Sequence, residues 1–267
     1  MRTRIADVMR MRVAALALAI GSYLGVCPAA AAADLRVMCP SALRTPIVES
    51  ARAFARAGGH RIEFVFAGVA AVHKRIATGE RADVAIGTAQ GADALVRLGR
   101  GVEGSLVPLV RSALALALPL HEIAPEVRDA ASLAETLRRA QSLVVPDVNL
   151  GVPGGAQTAE LLERLGLAEE LRARTRYLAD AREIAKRVAA GTADIGIGAM
   201  SGLVGSAGVA VLGPLTEPRT EGIAYAAVIV RTAANADLAR AFIAHLRSPQ
   251  SQALFRKAGY LPVDRAP

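Results

Sequence analysis

The residues whose types and spacing could do chemistry in this chain are mostly backbone starts, glycines and hydroxyls. A glycine-rich turn at 151–155 opens a helix, with Gln157 and Thr158 just inside it as side-chain hydrogen-bond donors. Ser41 and Gly68 each stand where a strand gives way to a helix. The helix starts after Ser41, Gly68 and Pro153 direct free amides and positive dipole ends outward, which suits an oxyanion or a carboxylate. Gly68, Gly154 and Gly155 lack a Cβ and so permit close approach of backbone to a ligand. Arg111 beside Ser112 adds a guanidinium for a charge-assisted contact, and Ser201 a further hydroxyl.

Chemistry of other kinds finds little support. The turn at 151–155 lacks the lysine and following Ser/Thr of a phosphate loop, and no G-x-S-x-G nucleophile elbow occurs. Asp83 and Asp147 read as loop or capping carboxylates rather than an acid/base pair, so the chain is read as no enzyme and as needing no cofactor. His60, His73, His121 and His245 show no metal-site spacing and read as surface or helix residues. Cys39 has no histidine near it in sequence and reads as a small buried hydrophobe.

Charge and termini bound the setting. There are 32 Lys and Arg against 24 Asp and Glu, a net +8, and no tryptophan. The basic residues are dispersed, which argues against a nucleic-acid surface; a mild positive field favours an anionic ligand. Arg2, Arg4, Arg10 and Arg12 precede an apolar run at 13–26 and a small-residue block at 29–33. That order predicts a secretory signal over 1–33, cleaved before Asp34, and a periplasmic protein. The apolar run is shorter than the ~20 residues a spanning helix needs, so no membrane insertion is expected after cleavage. Val26 before Cys27 does not fit a lipidation signal. Cleavage would remove Cys27 and leave Cys39 without a disulfide partner.

Strands and helices alternate through the remainder. Strands are expected over 35–38, 61–66, 82–86, 112–118, 143–146, 195–198, 209–212 and 223–230. Helices are expected over 45–57, 69–77, 132–140, from the turn at 151–155 to about 165, 169–176, 182–190, 236–246 and 251–258. Gly58-Gly59 closes the first helix as a C-cap, and Ser132 with Glu135 has capping-box spacing. This order predicts an α/β protein with mostly parallel sheets flanked by helices. Two such units imply two lobes: 34–112 with 222–267, and 113–221. Chain crossings near 108–118 and 214–225 would form the hinge, and the cleft between the lobes a ligand site.

Several motifs resemble those of the type II periplasmic solute-binding proteins, closest to the molybdate-binding branch. They are Phe66-Ala67-Gly68, Gly79-Glu80-Arg81-Ala82-Asp83-Val84-Ala85-Ile86, Val152-Pro153-Gly154-Gly155, Gly191-Thr192-Ala193-Asp194-Ile195-Gly196-Ile197 and Ser248-Pro249-Gln250. The resemblance implies a monomer that captures a small anion, a molybdate-like oxyanion or small carboxylate, and delivers it to an ABC permease. A periplasmic sensor or adaptor of the same fold is the alternative. The resemblance also locates the ligand loops, where this chain departs from the pattern. The first-loop serine, Ser41, is displaced by one residue, and Gly68-Val69-Ala70-Ala71 carries no hydroxyl. Ala199 or Met200 stands where a tyrosine is usual, a loss that Tyr225 would offset from another strand.

Overall fold

The computed structural model describes residues 34–150, 152, 154–179, 181–215 and 222–263. The expected signal at 1–33, Gly151, Pro153 and the stretch at 216–221 lie outside the described residues.

Strand β1 (Asp34–Pro40) is buried on both faces from Leu35 and Val37 through Cys39, as a central strand requires. Helix α1 (Arg44–Gly58) follows a 3-10 turn at Ser41–Leu43. It ends where Gly59 takes φ 65°, a left-handed cap favourable to glycine. Next come β2 (Arg61–Ala67), α2 (Val69–Ala77), β3 (Val84–Thr88) and α3 (Ala89–Arg97). Helix α3 is not anticipated by the sequence reading; Thr88 caps it by accepting from the Gly91 amide.

The strand expected at 112–118 is two strands in two sheets. β4 (Val107–Ser112) pairs in the first sheet and β5 (Leu114–Pro119) in the second, with Ala113 between them. β5 is apolar throughout and β4 is apolar up to Arg111, and periodicity alone cannot see a change of partner. Ser112 lies opposite Ile223, whereas Leu114 lies opposite Ala199.

The second unit holds α4 (Ala130–Arg139), β6 (Leu143–Pro146), α5 (Gly155–Arg164), α6 (Ala168–Leu171), β7 (Thr175–Leu178), α7 (Ala181–Ala189), β8 (Ile195–Ala199), α8 (Met200–Leu203) and β9 (Val209–Leu212). Two local expectations are corrected. Asp129, not Ser132, is the N-cap of α4, and Ser132 closes the capping box from inside the first turn. The helix expected over 169–176 is instead α6, a 3-10 turn and the strand β7, because Thr175–Leu178 finds β6 as a parallel partner.

The chain then returns to the first sheet with β10 (Ile223–Ile229), α9 (Ala236–Leu246), α10 (Pro249–Lys257) and the short β11 (Leu261–Pro262). The strand orders are β11-β4-β10-β3-β1-β2 and β7-β6-β8-β5-β9. Both sheets are mixed rather than mostly parallel. The β-α-β neighbours β1, β2 and β3 pair in parallel, as do β6, β7 and β8, whereas β4, β5 and β10, on either side of the crossings, pair antiparallel. This is the two-lobed type II periplasmic-binding-protein architecture, with one helix-flanked sheet per lobe.

Candidate functional site

Three helix starts share a feature that the other long helices with described cap residues do not. No side chain caps the 3-10 turn at Ser41–Leu43 or α1 behind it, α2 after Gly68, or α5 after Gly154, and none has an acidic residue in its first turn. By contrast Thr88, Asp129, Asn235 and Ser248 each accept an amide at the starts of α3, α4, α9 and α10. An uncapped first turn leaves amide donors and a partial positive charge for an external acceptor.

The first two starts are tied together. Ser41 is exposed, and its Oγ donates to the Ala67 carbonyl at 3.3 Å, linking the loop after β1 to the loop after β2. Gly68 has φ −65° and open space where a Cβ would stand, so no fold constraint demands glycine there. Val69 behind it is half-buried. The third start is packed against its own lobe. Gly154 takes φ 90°, and a Cβ there would lie 2.8 Å from the Ala199 nitrogen; one on Gly155 would lie 3.1 Å from Val148 Cα. Ala199 is thus a buried wall beneath the turn. Gln157 is half-buried, and Thr158 is fully buried with no protein partner for its Oγ1.

Arg111 and Ser112 part company, because adjacent strand residues face opposite ways. Arg111 is exposed, while Ser112 is buried with its hydroxyl 2.9 Å from that of Ser201 in the other lobe. Met200 donates its amide to the Ala113 carbonyl beside this pair.

Beneath the first loop lies a buried set of protonated donors. Tyr225 is 1% exposed, edge-on to Tyr260 at 6.0 Å, and its hydroxyl has no protein partner. Burial pushes its pKa up to about 12, with Cys39 nearby adding to the rise. Tyr260 donates to the Ala42 carbonyl at 2.8 Å, and burial raises it as well. Cys39, fully buried, is driven upward by burial against the lowering pull of Arg44. At neutral pH all three are donors and none is a base.

The sequence reading did not single out Tyr260 or Arg44 as site residues. Tyr260 is more than two hundred residues from its acceptor, so only the fold joins them. Arg44 carried one signal, its place three residues after Ser41. His73 is half-buried rather than superficial, its ring lying where Cβ atoms on Gly87 and Gly91 would stand, and burial lowers its pKa, favouring the neutral ring. A concavity of about 360 Å³ lined by Val107, Ile229, Arg240, Ile243 and Arg247 contains none of these loop residues. Among the described residues no cluster of His, Cys, Asp and Glu fits a metal, and no helix is long and apolar enough to cross a membrane.

Residues 35–261 match the family model of the bacterial extracellular solute-binding proteins. The chain belongs to that family. This solute-binding protein is 26% identical over 238 residues to an aconitate isomerase of a Pseudomonas species, covering 87% of this chain and 89% of that one. It also superposes on the substrate-binding domain assigned to a molybdenum ABC transporter of Clostridium difficile. There the TM-score is 0.77 and the identity 20%, covering 86% and 99% of the two chains. The periplasmic molybdate-binding protein of Azotobacter vinelandii gives a TM-score of 0.68 at 20% identity, covering 86% and 100%. These likenesses establish the solute-binding fold.

Proposed function

We propose that this solute-binding protein captures a small anion between its lobes and delivers it to an ABC permease. The observation that carries the reading is the selective lack of side-chain caps at the helix starts beside Ser41, Gly68 and Gly154. Amides there are left for a ligand acceptor, and the partner-free hydroxyls of Thr158 and Tyr225 add two donors that an anion could complete. Arg111, exposed at the crossing, contributes to the positive field; Ser112, Gln157 and Ala199 shape the surrounding wall. The reading places the lobe boundaries at 34–112 with 222–267, and 113–221.

Small carboxylates are favoured over molybdate. The second loop offers no hydroxyl, Ala199 offers no phenol, and the relative from Pseudomonas is named for aconitate, a carboxylate. The same relative raises isomerisation as a second reading. Against it, Cys39, Tyr225 and Tyr260 are all held protonated, so this group supplies no base to remove a carbon-bound proton. We assign capture without turnover.

Calorimetric titration with molybdate, tungstate, sulfate and small carboxylates tests capture. Saturable binding of at least one at micromolar ligand is expected; no binding across the set would overturn the reading in favour of a sensor or adaptor without a solute. Incubation with cis-aconitate, followed by proton NMR, should yield no trans isomer. Export is tested by N-terminal sequencing of the periplasmic fraction, which should begin at or within a few residues of Asp34.

A further inference from the structure

We propose that Arg44 is the specificity residue of the cleft, and that the ligand is a small carboxylate bearing a second anionic group; this rests on the anion-capture reading above. Arg44 is the first residue of α1, exposed, with its guanidinium carbon 3.9 Å from the centroid of the Phe66 ring. Phe66 precedes Gly68 by two residues and lies opposite Cys39 in the sheet, so Arg44 stands beside both loops of the first lobe.

The aromatic shelf is itself fixed. Phe66 stacks on Phe64 at 5.3 Å with planes 14° apart, and Phe64 meets the fully buried Phe242 edge-on at 6.4 Å. A guanidinium resting on such a shelf is oriented before a ligand arrives and loses less freedom on binding.

Three other arginines of the same lobe are held by carboxylates, whereas Arg44 is held by an aromatic ring. Arg36 is paired with Glu63 and Glu80, Arg75 with Glu80, and Arg97 with Asp93. Among the described residues Arg44 has no carboxylate within ion-pair distance, although its charge reaches Cys39. An oriented cation without an internal counter-ion is built for an external one.

Position decides the ligand class. The amides at the starts of the 3-10 turn at Ser41–Leu43 and of α2 suffice for one compact anionic group, and such a group leaves a guanidinium on the flanking shelf unused. A ligand with two anionic groups several bonds apart places one on the amides and the other in the planar fork of Arg44, where bidentate pairing favours carboxylate. Phosphate could serve as either group, but the lack of hydroxyls in the second loop disfavours a tetrahedral centre on the amides.

The test is calorimetry on wild-type protein, Arg44→Met and Arg44→Lys with acetate, succinate, tricarballylate and molybdate. Wild type should bind succinate or tricarballylate at least tenfold more tightly than acetate. Arg44→Met should weaken the polycarboxylates by 10- to 100-fold and shift acetate and molybdate by less than threefold; Arg44→Lys should recover part of the loss. Because the side chain is exposed, the melting temperature of Arg44→Met should match wild type, which separates a binding loss from misfolding. The inference is overturned if polycarboxylates gain nothing over acetate, or if Arg44→Met affects every ligand equally or none. Those outcomes leave anion capture standing, whereas a wild type that binds no anion removes both.

Discussion

The hydroxyls of Ser112 and Ser201 lie 2.9 Å apart, joining the last residue of β4 in one sheet to the turn that follows β8 in the other. The bond sits beside the first chain crossing, where Met200 also donates to the Ala113 carbonyl. Gly259 supports the same contact from the first lobe, since a Cβ there would lie 3.0 Å from the Met200 carbonyl oxygen. The lobes are therefore tied at the crossing by short polar side chains and by backbone.

Ser201→Ala should cost about 1 kcal/mol of stability in urea unfolding, the usual net worth of one partly buried hydrogen bond. Ser112→Ala should cost a similar amount. The double variant should lose less than the sum of the two, because both remove the same bond; full additivity would mean that the hydroxyls contribute independently.

Tyr225→Phe separates binding from folding. Its hydroxyl is buried without a protein partner, so removing it should leave the ligand-free protein as stable as wild type or slightly more so. Anion affinity should fall about 10- to 100-fold if the hydroxyl donates to the ligand, the equivalent of roughly 1.5 to 3 kcal/mol for a charge-assisted bond. Parallel titration calorimetry and thermal melts read the two effects.

Alkaline pH should unfold the protein in a defined window. Cys39 and Tyr225 have ordinary values of 9.0 and 10.0, and both are raised in the folded state, Tyr225 to about 12. A raised folded value means that the unfolded chain releases its proton first. Stability is whole below about pH 9 and declines as pH rises, with Tyr225 alone accounting for about 2 to 3 kcal/mol between pH 10 and 12. Denaturant melts at pH 8, 10 and 11 should show the decline, and Tyr225→Phe should make it shallower without removing it, because Cys39 and Tyr260 remain raised.

The two loop glycines should respond differently to alanine. Gly68→Ala meets open space at a φ that alanine adopts readily, so stability should change by less than about 0.5 kcal/mol. Gly154→Ala faces φ 90° and the Ala199 nitrogen at 2.8 Å, so a loss of about 1 to 3 kcal/mol is expected. Comparable melting curves for the two variants would contradict this geometry.

The alternation of apolar strands with amphipathic helices was legible in the sequence, down to helix 69–77 and strands 143–146 and 209–212, because each period is local and set by which side chains face a core. Motifs such as Gly79 to Ile86 also carried the family. The loops at Ser41, Gly68 and Gly154 could be found from strand-to-helix order alone. Partner choice could not. Whether residues 112–118 were one strand or the ends of two depended on Ile223 and Ala199, which lie far along the chain, and the strand at 175–178 looked helical until β6 paired with it. The same holds for the site. Nothing local marks Tyr225 as a buried hydroxyl without an acceptor, joins Tyr260 to Ala42, or rests Arg44 on Phe66. Those relations belong to residues brought together by the sheets and by the helices packed on them, and burial, which sets their protonation, exists only once the chain has folded.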